Sequence, residues 1–368
     1  MLSGGVPAFV APEVDEGRGM AHGVAPDTLA RKLAETPDAR AVFVVSPTYY
    51  GVCADVGALA QVAHDAGVPL VVDQAWGPHF GFHPRVPETA LKQGADAVLT
   101  STHKIAGSLS QSAMLHVAHD TLVDVGRLER AVRIVRSTSP SSLLLISLDA
   151  SRRQLTVHGH RLLDRTLAAT DRARTQLAAI DGVRVLGDEL LGQPGVHDID
   201  PLRIVLDVQG TGASGYAVSA ALRETYDVNV ELQTHAAVVL VVGMGEDPSA
   251  LDEIAEEVDA VVRRLAAEPP EEDHALTYDV SSLATELVVS PRDAFLGEAE
   301  RVPVAEAAGR ISCESIAAYP PGIPGVLPGE LITMEIVEDL RHVVEQGARL
   351  HGAADPTFET IRVLKAGP

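Results

Sequence analysis

The chain has 368 residues, 46% of them hydrophobic, one Trp, and a formal net charge of −22. That acidity argues against nucleic acid as a partner, because phosphate binding needs a surplus of Lys and Arg; its plain consequence is solubility. No run of roughly 18 apolar residues predicts a membrane span, and Cys53 and Cys313 lie far apart with no C-x-x-C pair, which fits a reducing compartment, the cytoplasm, rather than a disulfide or zinc framework.

The start, "MLSGGVPAFVAPEV", lacks a basic segment and a long apolar stretch, so it does not read as a signal peptide. Within it "VPAFVAP" reads as a strand. "AVFVVS" (41–46) is a continuous apolar run of the buried parallel-strand kind. "ADVGALAQVAHDAG" (54–67) has helical spacing and a glycine stop. "VPLVVD" (68–73) is a second buried strand, "VPETALKQGA" (86–95) a short helix, "DAVLTS" (96–101) a third strand and "SAMLHV" (112–117) a fourth. Strands alternating with helices predict an α/β fold with a mainly parallel sheet flanked by helices. A helical pattern follows over 151–180, then strands "VRVL", "LRIVLDV" and "AAVVLVVGM", and a helix over 248–268. These form a smaller α+β unit. The acidic, proline-containing "EPPEED" (268–273) reads as a linker before a third, α+β segment. The expected domains are therefore 1–150, 151–268 and 274–368.

In open parallel sheets, ligands sit beyond the carboxyl ends of the strands. Asp73 closes one strand, and Lys104 follows the next within "STHK". A carboxylate and an amine on one sheet edge suit pyridoxal 5′-phosphate. The lysine forms the Schiff base, and the aspartate keeps the pyridine nitrogen protonated so that the ring acts as an electron sink. Ser101 and His103 flank the lysine and offer bonds to the phosphate. Read singly, Lys104 is a solvated loop lysine and Asp73 a helix cap or turn former; it is their joint placement that points to the cofactor.

The stretches "SPTYYGVCADVGALAQVAHDAGVPLVVDQAWGPHFGFHP" and "GADAVLTSTHKIAGSLSQSAMLHV" resemble the Orn/Lys/Arg decarboxylase family. So do "STSPSSLLLISLDASRRQL" (137–155) and, in the third segment, "VPVAEAAGRISCESIAAYPPGIPGVLPGELIT". The resemblance implies the aspartate-aminotransferase fold (pyridoxal-phosphate fold type I) with the family's C-terminal domain. It implies decarboxylation of a basic amino acid (lysine, ornithine or arginine) to an amine of polyamine metabolism. It places the Schiff base on Lys104, the pyridine partner on Asp73, Ala75 and Trp76 around the ring, and Ser101 and His103 at the phosphate or cofactor side chain. His103 or Lys104 would supply the proton. Glu330, the acid of "PGE", would hold the substrate's distal cation or, alternatively, serve the start of the helix that follows. Gln74 and Trp76 depart from the family's commonest acidic residue and His. The family also carries an upstream phosphate loop and a ring-stacking His, so this chain is expected to hold the large domain without its opening part. A homodimer or higher homo-oligomer is implied. Two other readings stand beside this one: a non-catalytic partner subunit, and another reaction of the same fold, transamination or aldol cleavage.

Two motifs point elsewhere. "GTGASG" (210–215) matches the dinucleotide fingerprint, with Glu231 about 20 residues on. "HFGFH" offers His79 and His83 at a spacing that suits a metal only if the segment is helical. The flanking prolines argue for a loop, and no metal is expected.

Overall fold

The computed structural model describes residues 3–267, 286–319, 324–345 and 349–365. The expected linker at 268–273 and residues 320–323 of the Pro/Gly-dense stretch 317–330 lie outside the described residues. The chain divides into two compact units. The larger comprises 9–231 and 236–270, and the smaller 1–8, 232–235 and 271–368.

The larger unit opens with a short hairpin, β1 (Val14–Asp15) and β2 (Met20–Ala21), then α1 (Pro26–Glu35). The expected strand at 6–12 is irregular: Pro7 and Pro12 lack the N–H groups that a ladder needs. β3 (Val42–Val45) follows, then the two-residue β4 (Val52–Cys53) and α2 (Val56–Asp65). Asp55 caps α2 by accepting from Ala58 N at 2.9 Å. β5 (Leu70–Asp73) and β6 (Ala97–Thr100) complete a parallel run, β3–β5–β6. Alternate residues of β3 and α2 fill its core: Val42, Val44, Leu59, Ala63, Leu70 and Val72 are buried together.

The expected helix at 86–95 is only turns. Its backbone is claimed by tertiary bonds, Ala90 N donating to Gln74 Oε1 and Pro87 O accepting from Gly81 N. After β6 comes a single helical turn, α3 (Thr102–Ile105), and then β7 (Met114–Val117). β7 pairs antiparallel with β6, where the strand–helix–strand rhythm predicts parallel. No crossover helix lies between them, and a parallel neighbour needs one.

α4 (Val125–Val135) buries no side chain. α5 (Ser142–Leu177) is long and faces the core with Leu155, Gly159, Leu163, Thr166, Thr170, Ala173 and Leu177, a stripe at helical spacing. It begins nine residues before the expected start, 142 against 151. Leu143, Leu145 and Ile146 in that extra stretch are exposed, so no inward stripe marks it in the sequence. A second sheet follows, with strands β8 (Arg184–Leu186), β10 (Arg203–Asp207) and β11 (Ala237–Val241) and helices α6 (Gly215–Tyr226) and α7 (Pro248–Ala267); the short β9 (Asp198–Ile199) comes between β8 and β10 in the chain but lies outside that sheet. β10 runs between β8 and β11, antiparallel to both. Its residues join α5, α6 and α7 in one core that also takes in Trp76 and Ile105. Leu167 within it is fully buried. Leu167→Ala is expected to cost about 2–5 kcal/mol of unfolding free energy, read as a shift in the urea midpoint, since the packed surroundings cannot close over the void.

β4 and β9 form a separate antiparallel pair, Val52 opposite Ile199 and Cys53 opposite Asp198, between segments that flank the two sheets. Both cysteines are free and buried. The smaller unit pairs β12 (Ala299–Pro303) with β16 (Thr360–Leu364), and sets β13 (Ile316–Tyr319) between β14 (Pro324–Val326) and β15 (Arg349–His351). Its core is Val304, Ile316, Val326, Ile332, Ile361 and Val363 against Ile336, Val337 and Leu340 of α8 (Met334–Glu345). Among the described residues no helix is long and apolar enough to cross a membrane.

Candidate active site at the ends of two parallel strands

β5 and β6 are adjacent and parallel, with Asp73 opposite Leu99, so their carboxyl ends share one edge. Asp73 is the last residue of β5. Its Oδ1 accepts from Ala75 N at 2.9 Å, which turns the chain sharply into the following loop. At the end of β6, Ser101 N donates to Ala75 O, and Lys104 N donates back to Ser101 O. These bonds lock the two loop starts together and set the lysine on the one-turn α3. His103 lies beside it, its Nδ1 2.7 Å from Ser112 O.

Trp76 forms the floor. Its ring centre is 3.9 Å from Lys104 Nζ and 3.9 Å from Arg203 Cζ, with Tyr49 edge-on at 5.7 Å. A cation over an indole face is attracted by the ring quadrupole. Gln74, which stands where the family most often has an acid, is a loop clamp. It is buried, its Nε2 donating to Gly77 O and its Oε1 accepting from Ala90 N, each at 2.8 Å.

The charges around Lys104 oppose one another. Burial lowers the lysine's pKa, Glu231 and Asp73 pull it back up, and Arg203 adds to the lowering. The net direction is downward, toward the neutral amine that acts as a nucleophile. Burial likewise raises Glu231, against the pull of Arg203 and Lys104. Behind Trp76 lies a buried set. His79 Nε2 is 3.1 Å from Asp200 Oδ1, both side chains being 0% exposed. Asp200 Oδ1 also accepts from Leu202 N. Burial pushes the Asp200 carboxyl up, but His79 and Arg203 together hold it below its ordinary range.

The structure thus gathers Asp73, Ala75, Trp76, Ser101, His103 and Lys104 at one edge. Glu330 belongs to the smaller unit, where its buried carboxylate accepts from Leu327 N at 2.7 Å. Tyr49, Arg203 and Glu231 escape sequence reasoning. For Arg203 there is a signal, a charge inside the apolar run "LRIVLDV" in which every strand residue is buried. For Glu231 there is none beyond its distance from "GTGASG".

That glycine motif is structural. The strand before it is bordered by antiparallel neighbours, not by the parallel unit a dinucleotide fold requires. Gly210 packs backbone to backbone on Gly182, where a Cβ would come within 2.6 Å of a carbonyl oxygen, and Ser214 caps α6. The two histidines of "HFGFH" part company. His83 instead meets His160 and Asp164, with His83 Nε2 3.0 Å from Asp164 Oδ1 and His160 Nδ1 3.0 Å from Oδ2. Arg85 N donates to His83 Nδ1. The neutral ring therefore carries its proton on Nε2, toward the carboxylate, and the cluster closes as a hydrogen-bonded set.

Comparison with known proteins agrees with this arrangement. Residues 1–250 match the model for the Orn/Lys/Arg decarboxylase major domain, and residues 274–355 the model for the C-terminal domain. The chain is 35% identical over 365 residues to an arginine decarboxylase of Bacillus subtilis, covering 99% of this chain and 74% of that protein. It is 36% identical over 371 residues to an arginine decarboxylase of Halalkalibacterium halodurans, with the same coverage. Lysine decarboxylase A from Pseudomonas aeruginosa superposes with a TM-score of 0.78 at 22% identity, over 99% of this chain and 64% of that one. The constitutive lysine decarboxylase of E. coli superposes at 0.75 and 20%, over 98% and 64%. These likenesses give the fold, pyridoxal-phosphate fold type I, and the chain spans under two thirds of those solved chains. From its two matched domains and the relatives that align along nearly its whole length, the chain belongs to the Orn/Lys/Arg decarboxylase family.

Proposed function

We propose that this protein removes the α-carboxylate of a basic amino acid as CO2, with pyridoxal 5′-phosphate held at Lys104, and that arginine is the substrate. The observation that carries the reading is the Lys104 amine itself. It is half-buried, its pKa is lowered by that burial, and a carboxylate ends the adjoining parallel strand. Those residues fit the cofactor: a neutral amine for its aldehyde, Asp73 for its pyridine nitrogen, and the hydroxyl and imidazole of Ser101 and His103 for its phosphate. When bound, the cofactor supplies an electron sink for the pair left behind by the departing carboxylate.

The chain's residues do the rest. Asp73 holds a proton at the pyridine nitrogen. Trp76 and Tyr49 close one side of the site with aromatic surface and keep water from the reacting carbon. Lys104, freed when the substrate amine takes its place, returns a proton to the α-carbon. Arginine is preferred over lysine and ornithine because the relatives named for that activity are 35% and 36% identical to this chain, whereas those named for lysine are 24% and 23% identical over a similar share of it. The amine product would enter polyamine metabolism. We also place the protein in a homo-oligomer, since α4 buries no side chain and Ile134, Leu143 and Ile146 stand exposed in sequence around it.

The test is direct. With the cofactor added, the purified chain is expected to show a visible absorbance band and to release CO2 from arginine faster than from lysine or ornithine, with agmatine as product. Absence of both the band and CO2 release would sink the reading; release from lysine alone would reassign the substrate.

A further inference from the structure

We infer that His79 is a positioning residue of this site: it holds the Asp200 carboxylate off the Arg203 guanidinium, so that the guanidinium stays against Trp76 beside Lys104. This rests on the reading that Lys104 is the reacting amine.

Asp200, Pro201, Leu202 and Arg203 make a tight turn at the entry to β10, closed by Arg203 N donating to Asp200 O at 3.1 Å. Asp at the first place and Pro at the second suit such a turn. It sets an acid and an arginine three residues apart. Asp15 and Arg18 stand the same way, with Arg18 N donating to Asp15 O, and there the two side chains meet at 2.6 Å. Asp200 and Arg203 are more deeply buried, 0% and 1% exposed, where the attraction of opposite charges is least screened. They do not meet. Arg203 Nε, Nη1 and Nη2 and Asp200 Oδ2 have no hydrogen-bond partner among the described residues. Asp200 is nonetheless the strongest of the charges that support Arg203, so the two groups are near one another and unpaired.

The restraint on Asp200 has two parts. Its Oδ1 accepts from Leu202 N at 3.0 Å and lies 3.1 Å from His79 Nε2. The first is the local bond an aspartate makes at the start of a turn. The second comes from the loop that carries Trp76, three residues ahead of His79. That imidazole is 0% exposed and stands edge-on to Phe80 at 4.9 Å, which leaves it little room to follow a swinging carboxylate. Arg203 is restrained along its stem. A Cβ at Gly51 would lie 2.6 Å from its Cγ and 2.7 Å from its Cβ, so that backbone presses on the stem, while the bonds beyond Cγ still turn the head. Trp76, with its ring centre 3.9 Å from Arg203 Cζ, holds that head less firmly than a buried carboxylate would. The His79 bond therefore decides which way the guanidinium faces.

The placement acts on Lys104, whose Nζ lies 3.9 Å from the same ring centre. Glu231, ahead of β11, and Asp73, at the end of β5, favour the charged amine, while burial and Arg203 oppose them. Tyr49 stands 6.0 Å from Nζ, and His103 is turned to Ser112 O. A guanidinium drawn into Asp200 would leave the two carboxylates to prevail, and Lys104 would keep the proton that bars it from attacking an aldehyde.

Trp76 is the sole tryptophan, so its emission reports this site. Two quantities are measured in the unsubstituted protein, His79→Leu, Asp200→Asn and the double variant. One is the emission of the cofactor-free protein; the other is the pH dependence of the visible band formed on adding pyridoxal 5′-phosphate. His79→Leu is expected to change the emission and to move band formation to higher pH, because the freed carboxylate takes the guanidinium off the ring. Adding Asp200→Asn to it is expected to return both toward the unsubstituted protein, since an amide draws a guanidinium less than a carboxylate does. A residue that only supports packing is not repaired by a second lesion. A double variant shifted as far as His79→Leu, or farther, overturns the proposal, and so does an unshifted pH dependence in His79→Leu. If His79→Leu does not fold, Asp200→Asn alone decides. The charges acting on Lys104 are Glu231, Asp73 and Arg203, and the imidazole still donates to the amide oxygen, so band formation is expected at an unchanged pH. A shift there would mean that the carboxylate draws Arg203 into place, which overturns the proposal. If no variant forms the band while the emission pattern holds, the reading of Lys104 is wrong and the role of His79 stands.

Discussion

Lys104→Met is expected to abolish the visible band, to cut CO2 release by on the order of 10³-fold or more, and to make the fold more stable near neutral pH. The first two effects follow from losing the nucleophile and the proton donor together. The third follows from burial. The folded protein holds Lys104 half-buried beside Arg203, and its pKa is lowered for that reason first. Between that lowered value and the ordinary lysine value of about 10.4, the unfolded chain binds the proton that the folded chain has released. Stability of the unsubstituted protein therefore rises with pH across that window. Methionine, similar in length and uncharged, removes the cost. The stability gap between the two proteins is largest below the window and closes as pH approaches 11. Urea titrations at several pH values read it. A gap that stays constant from pH 7 to 11, or a band that survives the substitution, would contradict the placement of this amine.

Asp200→Ala is expected to cost about 3–5 kcal/mol, the penalty for removing one member of a buried charged set. Asp200 is 0% exposed, accepts from His79 Nε2 and Leu202 N, and is the strongest of the charges that support Arg203. Without it a buried imidazole, a buried amide and a buried guanidinium all lose their acceptor or counter-charge. Asp200→Asn is expected to cost distinctly less, because the amide oxygen still accepts from His79 and Leu202. Urea unfolding followed by Trp76 emission separates the two. Equal midpoints for Ala and Asn would mean that packing, not hydrogen bonding, sets the effect.

The half of the site that was legible in the sequence is local. Asp73 and Lys104 each sit at or just beyond the end of an apolar strand, and strand order alone puts those ends on one edge. Ser101, His103, Ala75 and Trp76 follow by adjacency. The other half comes from far along the chain. Arg203 reaches the site only because β10, in the second sheet, packs near Trp76, and no periodicity encodes that meeting. Glu231 is brought in by the turn that leads toward β11, its N donating to Val239 O. The misread elements have equally concrete causes. α5 starts early with exposed leucines and isoleucine, and residues 86–95 give two backbone groups to Gln74 and Gly81 and close the rest as local turns instead of a helix.

β4 pairs with β9, and His79 meets Asp200, so the segments that flank the lysine-bearing sheet and the guanidinium-bearing sheet are stitched at two places. Neither stitch leaves a free hinge between them. Closing the two sheets on a ligand, the way hinged enzymes do over microseconds to milliseconds, would strain a strand pair and a buried hydrogen bond at once. Adjustment to a ligand then falls to side chains, whose rotamers change in picoseconds to nanoseconds, rather than to a rotation of one sheet against the other.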